Sequence, residues 1–255
     1  MVQASVPQSP EIPTPGAARV RPLLIIKAGE TLESLRHDPG DFVDWFAAGL
    51  NSGDAVDRPV RVFDPRTDSP WPSQDEVAGV VVTGSHSMVT DREPWSERTA
   101  AWLSTVVEAQ VPVLGICYGH QLLADALGGQ AGNHPTGMEL GTVEVTTTAQ
   151  AAQDPLFADM PERFEAHVIH RQSALQLPAQ AVALAGNAFE PNQAFRVGAN
   201  AWGLQFHPEF DEAAMHGYVA HVAKQSADAP TDVRVGPTPH AASLLPRFAR
   251  IVDEA

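Results

Sequence analysis

The stretch Gly115-Ile116-Cys117-Tyr118-Gly119-His120-Gln121 constrains the fold of this chain more than any other. An apolar run (Val111, Val113, Leu114, Ile116) leads into it, and a helix-compatible segment follows. G-x-Cys-x-G between a strand and a helix is the form of a nucleophile elbow, a turn too sharp to accept side chains at its flanking positions. The turn lifts its central residue above a sheet and aims the first amides of the helix at it. For a cysteine this favours the thiolate, the reactive species. Cys117 is the only cysteine of the 255 residues. A lone cysteine can also be a small buried hydrophobe, so a partner histidine decides between the two readings.

Trp202-Gly203-Leu204-Gln205-Phe206-His207-Pro208-Glu209 supplies that partner, ninety residues downstream of the cysteine. An apolar strand-like run from Ala201 to Phe206 ends at Pro208, which cannot continue a hydrogen-bonded ladder. His207 and Glu209 therefore stand at the carboxyl end of a strand, where open α/β sheets carry their chemistry. A Cys–His pair oriented by a carboxylate is the logic of a catalytic triad: Cys117 attacks, His207 moves the proton and Glu209 holds the imidazole.

With both segments in hand, the chain resembles the class I (triad-type) glutamine amidotransferases. Gly-Ile-Cys-Tyr-Gly-His-Gln and Gln-Phe-His-Pro-Glu, in this order, match that family's two signatures over roughly residues 75 to 225. The resemblance implies that Cys117 attacks the side-chain amide of glutamine, ammonia leaves, and a γ-glutamyl thioester is hydrolysed to glutamate. It also implies a flavodoxin-like fold, an open and mostly parallel sheet flanked by helices, here with a strand-rich second half. Val80-Val81-Val82-Thr83-Gly84-Ser85 reads as a buried strand running into a small-residue turn. In the family, the loop after this strand gives one oxyanion-hole amide and the residue after the nucleophile, Tyr118, gives the other. This chain departs from the usual paired glycines, since Gly84 is followed by Ser85. That loop is similar to those of stand-alone, GMP-synthase-glutaminase-like members.

The resemblance implies four substrate contacts: Gly84, Ser85, Tyr118 and Gln121, the last lying one turn into the elbow helix. His120 reads as structural. Glu139, in Gly137-Met138-Glu139-Leu140-Gly141, is either a contact to the substrate's amino group or a solvated loop carboxylate. Gln172, in His170-Arg171-Gln172-Ser173, stands where many relatives have Asp, which removes a negative charge near the substrate. His37, His86, His134, His167, His216, His221 and His240 show no metal-ligand spacing, and neither metal nor cofactor is expected.

A net charge of -15 argues against a nucleic-acid partner, which needs a basic surface. One cysteine suits a reducing cytoplasm, the expected location. No apolar run approaches membrane-spanning length, and the first twenty residues lack the pattern of a secretory signal. The Pro-rich residues 1–20 are expected to be a disordered tail, 21–227 the amidotransferase domain, and 228–255 a linker and an amphipathic helix packed on it. Within the domain, strands are expected at Leu23–Ile26, Val60–Phe63, Val80–Val82, Thr142–Thr147, Phe164–Ile169, Ala181–Ala185, Gln193–Val197 and Ala201–Phe206. Helices are expected at Phe42–Leu50, from Pro94, at Tyr118–Leu127 and after Asp211.

Three functions stay open from sequence. The first is a glutaminase of the amidotransferase type acting on glutamine, with or without a separate ammonia-accepting synthase. The second is a stand-alone γ-glutamyl peptidase acting on compounds such as glutathione. The third is a non-catalytic binding relative. No phosphate-binding Gly-x-x-x-x-Gly-Lys-Ser/Thr loop is present.

Overall fold

The computed structural model describes residues 20–38, 40–53, 58–225 and 230–255. The expected disordered tail lies outside these residues except for Val20, as do the first two residues of the expected linker. In chain order the elements are β1 (Leu23–Ile26), α1 (Phe42–Leu50), β2 (Val60–Phe63), β3 (Gly79–Val82), α2 (Pro94–Glu108), β4 (Val113–Ile116), α3 (Tyr118–Ala126) and β5 (Gln130–Asn133). There follow β6 (Glu139–Thr147), β7 (Arg163–His170), β8 (Gln172–Gln176), β9 (Ala181–Gly186), β10 (Ala194–Val197), β11 (Ala201–Leu204), α4 (Glu212–Gln225), α5 (Pro239–Ala242) and α6 (Leu244–Glu254). No helix among the described residues is long and apolar enough to cross a membrane.

Nine strands form one sheet in the order β2-β1-β3-β4-β11-β10-β9-β6-β7. The first five run parallel, and the remaining pairings are antiparallel. The parallel strands β1, β3, β4 and β11 are fully buried, as expected for a sheet covered by helices on both faces. On one face Ile25, Val81, Leu114 and Trp202 pack with α1, α4 and α6. On the other, Leu24, Val80, Val82 and Val113 pack with α2 and α3.

Local sequence explains the helix starts. Asp41 caps α1 in a reciprocal box with Asp44, and Pro94 opens α2 where its missing N–H costs nothing. Asp211 accepts the Ala214 N–H at 2.8 Å and so caps α4. Helix α6 lays Leu245 against Gly49 and Val252 against Gly79, positions where a Cβ would come within 2.4 and 2.6 Å of those side chains.

Two features differ from the sequence expectation. Residues 233–236, expected within a linker, lie along β6. Thr142 N–H donates to the Arg234 carbonyl at 2.7 Å, and the Gly236 N–H donates to the Thr142 hydroxyl at 3.0 Å. They satisfy a stretch of β6 that β9 does not reach, since β9 pairs only with Thr146 and Thr147. The second feature is a separate two-stranded sheet, β5 with β8. Its strands are short and polar and carry no alternation strong enough to read from sequence.

Candidate active site

Strand β4 delivers Cys117 into the turn before α3. The residue adopts φ 49° and ψ -98°, a conformation rare for any side chain other than glycine's hydrogen. Its N–H donates to the Leu204 carbonyl of β11 at 2.8 Å, and its carbonyl accepts the Gln121 N–H at 3.0 Å to start the helix. The flanking glycines are sterically required. A Cβ on Gly115 would lie 2.4 Å from the Gly119 carbonyl oxygen, and one on Gly119 would lie 2.4 Å from the Val82 carbonyl oxygen. The elbow thus closes by backbone-to-backbone contact, and β3, β4 and α3 meet without side chains between them.

Strands β4 and β11 are parallel neighbours with Ile116 opposite Leu204. Residues just beyond their carboxyl ends therefore emerge side by side, although ninety positions separate them. His207 is pinned there by its N–H to the His167 carbonyl at 2.8 Å. Its Nδ1 is 2.7 Å from Glu209 Oε1, with both side chains buried. Phe210 stacks on the imidazole, with centroids 4.1 Å apart and planes at 19°, and Tyr218 stacks on Phe210 at 5.0 Å. His207 Nε2 has no protein hydrogen-bond partner. Burial by itself disfavours a charged ring here. The Glu209 carboxylate and the Cys117 sulfur outweigh it and lift the imidazole to about 10. Gly84 is wedged against both groups. A Cβ there would stand 3.2 Å from His207 Cε1 and 3.9 Å from Cys117 Cβ.

The loop after β3 is held by Thr83 and Ser85. The Thr83 hydroxyl donates to the Gly84 carbonyl at 2.9 Å and accepts the Ala28 N–H at 3.0 Å. Ser85 Oγ donates to the Ala28 carbonyl at 3.0 Å and accepts the Ser87 N–H at 3.1 Å. Ser85 in place of a second glycine thus ties the loop to the segment after β1. In a trans peptide the N–H points opposite to the C=O, so fixing the Gly84 carbonyl on Thr83 turns the Ser85 N–H the other way. An open cleft of about 160 Å³ runs over the sulfur, lined by Ser85, Cys117, Tyr118, Gln121 and His170 among others.

The sequence model of the family Glutamine amidotransferase class-I matches residues 51–221, well over half of the chain. The chain belongs to the class I glutamine amidotransferases. A GMP synthase [glutamine-hydrolyzing] from Aeropyrum pernix is 36% identical over 132 residues, 52% of this chain and 24% of that protein. The chain therefore spans about a quarter of the length of that relative. Gamma-glutamyl peptidase 5 of Arabidopsis thaliana is 25% identical over 150 residues, 58% of this chain and 60% of that one. The crystal structure of a glutamine amidotransferase from Thermotoga maritima superposes with a TM-score of 0.68 at 20% identity. It covers 93% of this chain and all of that one, a likeness of fold.

Other residues singled out from sequence fall in varied places. Gln121 lines the cleft, but its Nε2 donates to the Gln172 carbonyl at 2.7 Å and to Gln205 Oε1 at 3.0 Å. Both amide hydrogens are thus spent on the protein, leaving the carbonyl oxygen for a ligand. The Tyr118 side chain turns away from the sulfur, with its hydroxyl 2.5 Å from Ser96 Oγ and its ring stacked on Trp95. Its N–H belongs to the first turn of α3 and has no intrahelical acceptor. His120 is fully buried against Phe195, and that burial lowers its imidazole to about 3.

Glu139 is not a solvated loop carboxylate. It opens β6, is buried, and accepts from His170 Nε2 at 2.9 Å, Asn187 Nδ2 at 2.7 Å and Gln193 Nε2 at 2.8 Å. Three donors offset the cost of burying the charge. His170 faces the cleft in front of this cluster, and Gln172 Nε2 donates to Thr90 and Asn133 at 2.6 and 3.0 Å. Asn187 and Gln193 carry no sequence signal for this role, because isolated amides in a strand-rich segment are unmarked until the fold pairs them with Glu139. Phe210, directly after the His-Pro-Glu signature, was legible as an apolar residue but not as the surface against which His207 stacks.

Proposed function

We propose that this chain hydrolyses the side-chain amide of glutamine, using Cys117 as nucleophile, His207 as proton carrier and Glu209 as the group that orients His207. The observation that carries the reading is the strained Cys117 at a helix N-terminus beside a buried His207 whose other nitrogen is held by Glu209. In the reacting pair His207 holds the proton taken from the Cys117 thiol. The sulfur attacks the amide carbon, a C–S bond forms, and the carbonyl pair moves onto oxygen. Backbone N–H groups of Ser85 and Tyr118 receive that oxyanion, an arrangement commonly worth about 3 kcal/mol of barrier per donor. The intermediate collapses as His207 gives its proton to the departing nitrogen, which leaves as ammonia. Neutral His207 then takes a proton from water, the hydroxide attacks the thioester, the C–S bond breaks, and glutamate and the resting pair result.

The test is ammonia release from glutamine by the purified protein, alongside hydrolysis of a γ-glutamyl peptide. The Arabidopsis relative favours the second substrate as the alternative reading, since the same thioester serves either leaving amine. Peptide cleavage without glutaminase activity would select it. A separate ammonia-accepting synthase is part of the first reading, supported by the GMP synthase match, and co-purification with such a protein would establish it.

Substitution of the orienting groups separates their roles. His207→Ala is expected to reduce kcat by about 10⁴-fold, since it removes the imidazole assigned to carry the thiol proton. Glu209→Gln is expected to slow turnover less, because the amide can still hold Nδ1. Equal activity of both variants and the parent would remove the triad.

Protonation of His207 also sets a pH limb. An unperturbed imidazole titrates near 6.5, and in the fold this value is raised to about 10. The charged form therefore persists through neutral pH and is lost as pH rises through the folded value. kcat/KM is expected to stay level across neutral pH and to fall only in the alkaline range. Glu209→Gln, which removes a raising charge, moves that fall toward neutrality. A parent profile that already declines between pH 6 and 7 would show a neutral resting imidazole.

A further inference from the structure

The cleft over Cys117 holds no carboxylate. Its lining comprises hydroxyls (Ser85, Ser87), apolar side chains (Met88, Met138, Ile169), the amides Gln121 and Gln172, and the basic groups His86, His170 and Arg171. The nearest acids are committed elsewhere. Glu209 is bonded to His207, and Glu139 lies behind His170 with three donors on it. Among the described residues no other Asp or Glu lines this space. The absence is pointed in a chain carrying 31 acidic residues against 16 basic ones. Arg171 is exposed at the cleft. It is not among the ion pairs formed by the described residues, whereas Arg58, Arg66, Arg92 and Arg196 each meet a carboxylate.

A free amino acid brings an α-ammonium next to its α-carboxylate. Taking an ammonium out of water without a counter-charge is expensive. Backbone carbonyls in the cleft accept from an amide N–H as they do from an ammonium, so they do not select the charged form. An unpaired guanidinium, by contrast, matches a carboxylate bidentately. The lining is thus complementary to a carboxylate and a γ-carboxamide, and meets a positive nitrogen only with neutral acceptors such as the Gln121 amide oxygen.

We propose that the cleft selects a glutamine-type amide whose α-nitrogen is uncharged, as in an N-acylated glutamine, with Arg171 receiving its carboxylate. This rests on the hydrolysis assigned to Cys117 and narrows its substrate. N-Acylation leaves the γ-amide and the carboxylate untouched and removes only the charge that the site does not meet.

The experiment compares kcat/KM for glutamine and N-acetylglutamine by ammonia release from the purified protein. N-Acetylglutamine is expected to exceed glutamine in kcat/KM by threefold or more. A built ammonium site would instead favour free glutamine by about tenfold or more, the usual reward of a charge-assisted hydrogen bond. Equal turnover or a preference for glutamine overturns the inference while leaving the Cys117 chemistry intact. Turnover of neither amide removes the reading on which it rests, and the inference with it. Arg171→Gln gives a second readout. It is expected to raise KM for N-acetylglutamine about tenfold with kcat within threefold, and an unchanged KM would remove Arg171 from the recognition.

Discussion

Cys117→Ala is expected to abolish ammonia release from any γ-carboxamide substrate, with a loss of at least about 10⁴-fold in kcat. The size follows from what the residue supplies. In the proposed reaction its sulfur forms the covalent intermediate, and no other thiol exists in the chain to replace it. The variant keeps the N–H to Leu204 and the carbonyl to Gln121 that hold the elbow, so loss of activity should come without loss of fold. Cys117→Ser is the finer version, since it retains an attacking atom but a far weaker one. Circular dichroism and a thermal melt of the alanine variant establish that the protein is folded, and an ammonia assay reads the chemistry. Residual turnover within tenfold of the parent would mean that the sulfur is not the nucleophile.

The second large effect is structural. Gly119→Ala is expected to destabilise the fold by about 3 kcal/mol, because its Cβ would sit 2.4 Å from the Val82 carbonyl oxygen. The Cβ position is fixed by the backbone and its partner is a backbone oxygen, so no rotamer change relieves the clash. The helix must move off the sheet or β3 must shift, and either breaks the buried packing of Leu122 and Leu123 against Val80 and Val82. For a domain of this size such a loss lowers Tm by about 6 to 12 °C. Gly128→Ala is the control. Its φ is +92°, yet a Cβ there meets nothing within 4 Å, so only the backbone strain of about 1 kcal/mol is expected. Similar melting temperatures for the two variants would contradict a contact-closed elbow. The same displacement would carry Cys117 away from His207, so Gly119→Ala should lose activity even at temperatures where it stays folded.

Much of this molecule was legible before any coordinates. Cys117 was marked because glycines two residues to either side of it signal a turn that side chains would block, and the contacts of Gly115 and Gly119 are that blockage made explicit. Strands β1, β3 and β4 were readable because a parallel sheet buried on both faces requires unbroken apolar runs. Pro94 and Asp211 announced helix starts through local chemistry that needs no distant partner. Signals of this kind are confined to a few consecutive residues, and the chain carries them openly.

What the sequence left undecided depends on groups far apart along the chain. Glu139 could be read as a loop carboxylate or as a ligand contact. Only the approach of His170, Asn187 and Gln193 from three other segments makes it a buried acceptor. The segment near Arg234 looked like a linker because its bonding partner, Thr142, lies more than ninety residues away. By itself, then, the sequence determined the elbow and the buried parallel strands, since these follow from local sterics and hydrophobic pattern. Tertiary structure alone decided that β4 and β11 lie side by side, so that a sulfur and an imidazole ninety positions apart emerge together, and that among the described residues no Asp or Glu lines the cleft above them. Strand order and charge placement are properties of long-range packing, where the free energy resides in contacts that no local window of residues contains.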